Sequence, residues 1–450
     1  MSYTVILSLI FGVILAILSM IASIISFIER EPYAGKKLLL LVIIIMIIYC
    51  IIPCYVIPDQ HYIIISMMVI PILLLLVFVV PLKHNVDRSA NSITCQIDER
   101  DIMFSRKELK KGTEQYNSYY RNNEDKLKMD NVFRALPGLM SPESKYYEKF
   151  GFNASEVLFD VINMLHTTIK GEVKRKQVIY SKQRYTSFIK NWTKHLGAHS
   201  VGITKLEKYH LYSVKGRGDE YGDQIENNHK YAIAFTVEMD KTMLDSAPMV
   251  TAIMETSKQY LEGAKIATLI AKWIREMGYD ARSHIDGNYQ LVCPLVARDA
   301  GLGEIGRMGL LMTPKLGPRV RLAVVTTSMP LDIDNPYRGD SVIDFCTICK
   351  KCADTCPGNA IQNSNRELIN GTLRWQISSE KCFTYWCKAG TDCGRCVSVC
   401  PYSHPNNFMH NIIRRGIDNS RLFARVALKL DDILYGRRPK PKKLPDWIND

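Results

Sequence analysis

Nine of the 13 cysteines in this 450-residue chain fall between Cys346 and Cys400. Cys346, Cys349, Cys352 and Cys356 form C-x2-C-x2-C-x3-C, closed by Pro357. Cys382, Cys393, Cys396 and Cys400 form a second set, closed by Pro401, with Cys387 as a spare. Short spacers let one loop of backbone aim three soft thiolates at one iron–sulfur cube, while the cysteine before proline serves the neighbouring cube. The pattern predicts two [4Fe–4S] clusters. One is assigned to Cys346, Cys349, Cys352 and Cys400, the other to Cys356, Cys382, Cys393 and Cys396. Two structural zinc sites are the competing reading, but zinc pairs rarely use this run ending in Cys-Pro. Disulfides are disfavoured because the spacing suits metal chelation. The chemistry is the movement of single electrons.

The elements that hold these cysteines have room for more than one unit, and the net charge of +13 is unevenly spread. Residues 1–82 balance Arg30, Lys36 and Lys37 against Glu29, Glu31 and Asp59, so the remainder carries the excess. No Lys/Arg block with interleaved aromatics occurs. The excess therefore points to an anionic membrane face or an acidic electron donor rather than nucleic acid.

Tyr3–Ile28 contains no charge and is long enough to cross a bilayer. Leu38–Ile57 and Tyr62–Leu82, the latter with Pro71, are further apolar runs, so residues 1–82 are expected to form three transmembrane helices. A cleaved signal peptide is disfavoured for the first run, which lacks a basic leading region and a small-residue cleavage site. No twin-arginine export motif is found. Arg30, Lys36 and Lys37 lie between the first two runs, Asp59–His61 has no Lys or Arg, and Lys83 and Arg88 follow the third. The positive-inside rule then places the large domain in the cytoplasm, where thiols stay reduced. Cys50 and Cys54 read as small apolar residues of a span.

Residues 83–147, mixed in charge, read as a solvated linker with helical parts. Helical periods run over 151–171, 185–196 and 248–277, and β-branched runs at 200–204, 231–237 and 320–327 read as strands. Residues 290–298 are apolar and fit either. The alternation predicts an α/β domain over 148–340, followed by the cluster domain at 341–405 and a C-terminal extension at 406–450 packed near the clusters. Gly301, Gly303 and Gly306 match G-x-G-x-x-G, but Thr313-Pro314 breaks the helix that a dinucleotide site needs, so these glycines mark close backbone approach instead.

Several of these motifs recur together. The stretch 300–309 (AGLGEIGRMG) is followed by Thr313-Pro314, 317–322 (GPRVRL) and 326–331 (TTSMPL), and then by the first cysteine run. The second set sits in 381–386 (KCFTYW) and 393–405 (CGRCVSVCPYSHP). In this order and spacing they resemble the cobalamin-dependent reductive dehalogenases, over roughly residues 150–415.

The resemblance implies a nitroreductase-like core in which a corrinoid replaces flavin, with a ferredoxin-like two-cluster insert. It implies base-off cobalamin, and the D-x-H-x-x-G signature that supplies an axial histidine does not occur: Asp59 and His61 are followed by Ile64. It assigns the proton donor to Tyr260, a supporting cation to Arg321 and an amide to Asn288. A tyrosine is a weak acid, and a permanent cation beside it stabilises the phenolate left behind. Gly301, Gly303, Gly306, Arg307 and His284 are the implied cofactor contacts, with Glu304 and Asp286 beside them. The cluster of Cys356, Cys382, Cys393 and Cys396 is implied to lie next to the corrinoid. Cys293 reads as buried and inert. The expected partners are an organohalide, membrane lipid and a low-potential donor such as ferredoxin, flavodoxin or a quinol-linked protein. Many family members carry a twin-arginine signal and dock on a separate anchor, whereas here the spans are fused. A related reductase of a non-halogenated substrate, such as epoxyqueuosine reductase, and a membrane electron carrier are the alternatives.

Overall fold

The structure, a computed structural model, describes residues 3–51, 53, 60–82, 84, 86–87 and 95–449. Cys54, Asp59, Lys83 and Arg88, on which parts of the membrane reading depend, lie outside the described residues. The chain forms two compact units, 1–85 with 405–439, and 86–404 with 440–450.

In the first unit, α1 (Tyr3–Ile28) and α2 (Pro32–Ile51) pack along one another. The contact is made by small residues. Ser8, Gly12, Ala16, Ala34 and Gly35 are buried, and a side chain at Gly12 would collide with the Tyr49 ring. Leu and Ile point outward. Helices in lipid associate this way, because apolar side chains gain nothing by leaving lipid whereas small residues allow close backbone contact. Both helices are long and apolar enough to cross a membrane. The third expected run forms α3 (Gln60–Val79), interrupted by Pro71. The helices Phe408–Asn419 and Arg421–Tyr435 belong to this unit too and pack with its N-terminal helices. Only Lys440–Asp450 joins the second unit.

The second unit is built on a four-stranded antiparallel sheet of order β1 (Ser200–Lys205), β2 (Tyr231–Glu238), β6 (Val320–Thr327) and β3 (Ala281–His284). Alternate residues face opposite ways along a strand. Ile233, Phe235, Ala323 and Val325 therefore join one core with the long central helix Val250–Glu276, while Ala232, Ala234 and Val324 join another with the short helix Cys293–Asp299. Helices cover both faces, as the expected α/β class requires. The ambiguous run at 290–298 is thus mostly helical, and the four-residue β3 is too short to stand out in the sequence. Phe235→Ala empties a site with no solvent exposure. It is expected to cost about 3–5 kcal/mol, read as a lower melting temperature of the detergent-solubilised protein.

Residues 95–147 are more ordered than a solvated linker. Phe133 and Met103 pack against Phe383 and Cys387 of the helix Ser379–Ala389. Arg106, buried, donates to Asp130 at 3.0 Å and to Glu380 at 2.8 Å. Their apolar residues are spread over short helices, and the surface they cover lies some 250 residues downstream, so no local period reveals it.

Candidate active site

The central helix presents Thr256 and Tyr260 one turn apart on a single face. β6 presents Arg321 on the side that faces this helix, in the same row as Ala323 and Val325. The helix approaches closely here, since a methyl on Gly263 would already touch Ala323. The Arg321 guanidinium lies 5.0 Å from the centre of the Tyr260 ring. Its Nη2 donates to Thr256 Oγ1 at 2.5 Å and to Asp392 Oδ2 at 2.8 Å, and Thr256 Oγ1 donates to the same carboxylate at 2.5 Å. Asp392 immediately precedes Cys393. The tyrosine, the cation and the second cysteine set are thus joined by one chain of contacts.

Tyr260 and Arg321 line a cavity of about 200 Å³. Tyr212, Tyr289, Leu291 and Pro294 form one part of its wall, and Leu310, β5 (Leu311–Met312) through Leu311, Pro318, Val320 and Leu322 another. Leu310 and Cys396 pack against one buried cluster of Met239, Leu244 and Val397, which links this wall to the second cysteine set. Burial pushes the Tyr260 phenol up to about 12, Arg321 opposing the shift and Asp286 and Asp392 adding to it. Burial likewise raises Tyr289, Tyr212 and the Cys293 thiol, which stay protonated at neutral pH. Asp286 is raised by burial, against the pull of Arg217, Arg321 and His166.

Asn288, the amide that the resemblance implies, is engaged by Arg282. It closes a turn with Ile285, and its Oδ1 accepts from Arg282 Nη2 at 2.8 Å. His284 is enclosed in the sheet, paired with Thr326 Oγ1 at 2.9 Å and accepting from Gln290 N. Burial, with Arg282 nearby, holds it well below the ordinary histidine range. The glycine motif serves close packing within the protein. A side chain at Gly303 would strike the Met312 carbonyl, where β4 (Glu304–Ile305) pairs with β5, and one at Gly301 the Asn335 carbonyl. One at Gly306 would strike the Met312 side chain. Arg307 is buried over the Trp375 ring at 4.6 Å and donates to the carbonyls of Cys346, Gln362 and Ser364. It braces the first cysteine loop. Glu304 and Gly306 line a second cavity, of about 280 Å³, with Arg298, Arg374 and Trp375.

Cys346, Cys349, Cys352 and Cys400 surround one void of about 20 Å³. Cys356, Cys382, Cys393 and Cys396 lie near enough to affect one another's ionisation. Cys387 is buried in the separate apolar cluster with Phe133 and Phe383. Both groups suit cluster ligation in the chemistry of their donors, four thiolates each. The main cavity suits a corrinoid in three respects. Its walls are mostly apolar, no histidine lines it among the described residues, and the Nε of Arg321, on its wall, is a buried polar atom with no partner among the described residues, available to a ligand's amides.

Thr256, Asp392, Tyr212 and Tyr289 are the members of this site that sequence reasoning did not single out. Thr256 had a signal, its position one turn before Tyr260, and so did Asp392, in T-D-C-G-R-C.

Residues 345–404 match the 4Fe-4S dicluster domain model. The chain is 37% identical over 222 residues to a tetrachloroethene reductive dehalogenase of Sulfurospirillum multivorans, covering 48% of this chain and 44% of that protein. It is 31% identical over 282 residues to one of Desulfitobacterium hafniense, covering 52% and 51%. The chain thus spans about half the length of these relatives. The catabolic reductive dehalogenase NpRdhA, solved with 3-bromo-4-hydroxybenzoic acid, superposes with a TM-score of 0.63 at 24% identity, over 80% of this chain and 49% of that one, a likeness of fold. Over about half of its length, this chain is similar to the reductive dehalogenases.

Proposed function

We propose that this chain is a membrane-anchored reductive dehalogenase with a nitroreductase-like core, two [4Fe–4S] clusters and base-off cobalamin. The observation that carries the proposal is the placement of Tyr260 and Arg321 on one largely apolar cavity, with Arg321 held by Asp392, the residue before Cys393. When bound, the clusters pass single electrons and the corrinoid delivers them to the carbon–halogen bond. Replacing halogen by hydrogen takes two electrons and one proton for each halide released.

The residues divide the remaining work. Tyr260, held protonated far above neutral pH, keeps a proton at the cavity surface. Arg321 stabilises the phenolate that forms when the proton leaves. Thr256 and Asp392 hold the guanidinium over the ring. The aromatic and aliphatic walls exclude water, which strengthens the attraction between cation and phenolate. In this reading Cys346, Cys349, Cys352 and Cys400 hold one cluster, and Cys356, Cys382, Cys393 and Cys396 hold the one nearer the cavity. The N-terminal helices anchor a cytoplasmic domain that takes electrons from ferredoxin, flavodoxin or a quinol-linked protein.

The test is anaerobic purification followed by cofactor analysis. About eight irons and one corrinoid per chain are expected, together with halide release from chlorinated or brominated alkenes or phenols under a low-potential reductant. Iron without corrinoid overturns the proposal and favours an electron carrier. Corrinoid without turnover of any organohalide favours reduction of another substrate.

The ligand sets carry their own prediction. Cys349→Ala and Cys396→Ala should each lower iron by about half, through different clusters. The Cys396 variant alone should alter the electron paramagnetic resonance signal that responds to corrinoid. Identical spectral changes in both variants would refute the split.

A further inference from the structure

The helices Phe408–Asn419 and Arg421–Tyr435 have an apolar surface that the dehalogenase reading leaves unused. On the second helix Ala424, Ala427 and Leu428 are buried. The opposite face carries Leu422, Val426, Leu430 and Ile433, spaced at i, i+4, i+8 and i+11. Leu430 and Ile433 are 50% and 55% exposed. Arg425 and Lys429, both exposed, border this stripe. The first helix repeats the arrangement, with Phe408 and Ile412 exposed beside Arg415. A stripe of large apolar side chains on the outer face of a hairpin calls for a cover, since single exposed apolar residues are ordinary but aligned ones are not.

The position of the hairpin says what the cover is. Glu29, one residue beyond the end of α1, accepts from Asn407 and pairs with His410 at 3.0 Å. Lys37 Nζ, near the start of α2, donates to the Ile433 carbonyl at 2.7 Å. Leu82, just past α3, bridges to Ser420. All three contacts lie at the same end of the helix bundle, the end where Arg30, Lys36 and Lys37 follow and precede the apolar spans. If α1 and α2 cross a bilayer, this is the level of the lipid headgroups.

We propose that the hairpin Phe408–Tyr435 lies in the interface of an anionic bilayer, its apolar stripe among the upper acyl chains and Arg415, Arg425 and Lys429 against lipid phosphates. Apolar area and basic charge act together in such helices. The hairpin then fixes the orientation of the bundle in the membrane and supplies a second attachment beyond the spans. This inference rests on the reading that α1 and α2 span the membrane.

The experiment places single tryptophans in the full chain, reconstituted with its clusters in nanodiscs of phosphatidylcholine and phosphatidylglycerol. The five native tryptophans all lie outside the first unit, so each variant is read against the parent. Ile14→Trp, in the middle of α1, reports the spans, and Leu430→Trp reports the hairpin. Ile14→Trp should be quenched most by lipids brominated near the acyl methyl end. Leu430→Trp should be quenched most by lipids brominated near the glycerol. Replacing Arg415, Arg425 and Lys429 by Gln should weaken the Leu430→Trp quenching in the anionic discs, with iron content unchanged. Quenched Ile14→Trp with unresponsive Leu430→Trp overturns the interfacial placement and leaves the spans intact, and so does quenching of Leu430→Trp that ignores the basic residues as regards anionic lipid. If neither is quenched, the spanning reading falls and this one with it.

Discussion

Tyr260→Phe should lower halide release by about 10²–10⁴-fold while iron and corrinoid content stay at the parent level. The substitution removes one oxygen and keeps the ring over which Arg321 sits, so packing is preserved and the proton is lost. The pH dependence separates this role from a structural one. With the phenol raised to about 12, Tyr260 is in its proton-bearing form throughout the range in which the protein is handled. The working form exists below that value and is depleted only as pH rises towards it. Turnover should therefore show no fall between pH 7 and 10 attributable to this group, whereas an unperturbed tyrosine would already be half ionised near pH 10. A rate that halves by pH 10, with clusters and corrinoid intact, would show that burial does not govern the acid. Full activity in Tyr260→Phe would move the proton donor elsewhere.

Asp392→Ala should damage the same site from the other side. Arg321 keeps its charge and loses its carboxylate in a setting where both partners are largely buried, at 19% and 7% side-chain exposure. Removing one member of such a pair costs about 3–5 kcal/mol, because the remaining charge is left without compensation. The expected result is a lower melting temperature and a fall in kcat. Asp392→Glu should restore part of the activity, while Asp392→Asn keeps an acceptor for Thr256 and Arg321 but not the charge. Melting and kcat unchanged in Asp392→Ala would mean that Thr256 alone positions the guanidinium. Thr256→Val provides the cross-check, since it removes the hydroxyl at 2.5 Å from Arg321 while keeping shape and leaving the ion pair in place.

The carboxylate has a second consequence. It sits next to Cys393, so the cation beside Tyr260 is attached to the loop of the second cysteine set. In the proposed reading, the electron path and the proton path end at adjacent points of one loop and one strand. A displacement of the Cys393 loop would move Arg321, and the position of the acid would shift with it.

How far the sequence alone reaches can be judged from particular residues. The grouping of Cys346, Cys349, Cys352 and Cys400 around one void agrees with a spacing argument, since short spacers leave the backbone few ways to arrange the sulfurs. β6 and the central helix fall where the apolar periods put them, because periods of two and 3.6 are properties of contiguous chain. The similarity to reductive dehalogenases was equally legible, in motifs whose order survives in the chain.

Other features depended on partners distant in sequence. The resemblance implied Asn288 as the amide of the site, and the turn at Asp286-Gly287 brings it to Arg282, while its neighbour Tyr289 lines the cavity. The glycines of 301–306 announced a close approach, and only the pairing of β4 with β5 shows that Met312 is what approaches two of them. Asp392 and Thr256, 136 residues apart, share a hydrogen bond that no local pattern encodes. Arg106 and Glu380 are separated by 274 residues, and Lys37 and Ile433 by 396. The sequence by itself determined the two cysteine sets, the periodic elements and the long apolar runs, since each is written in neighbouring residues. Tertiary structure alone decided what holds the cation beside the tyrosine and which end of the helix bundle receives the C-terminal hairpin, because these follow from chain segments that meet only when the core forms.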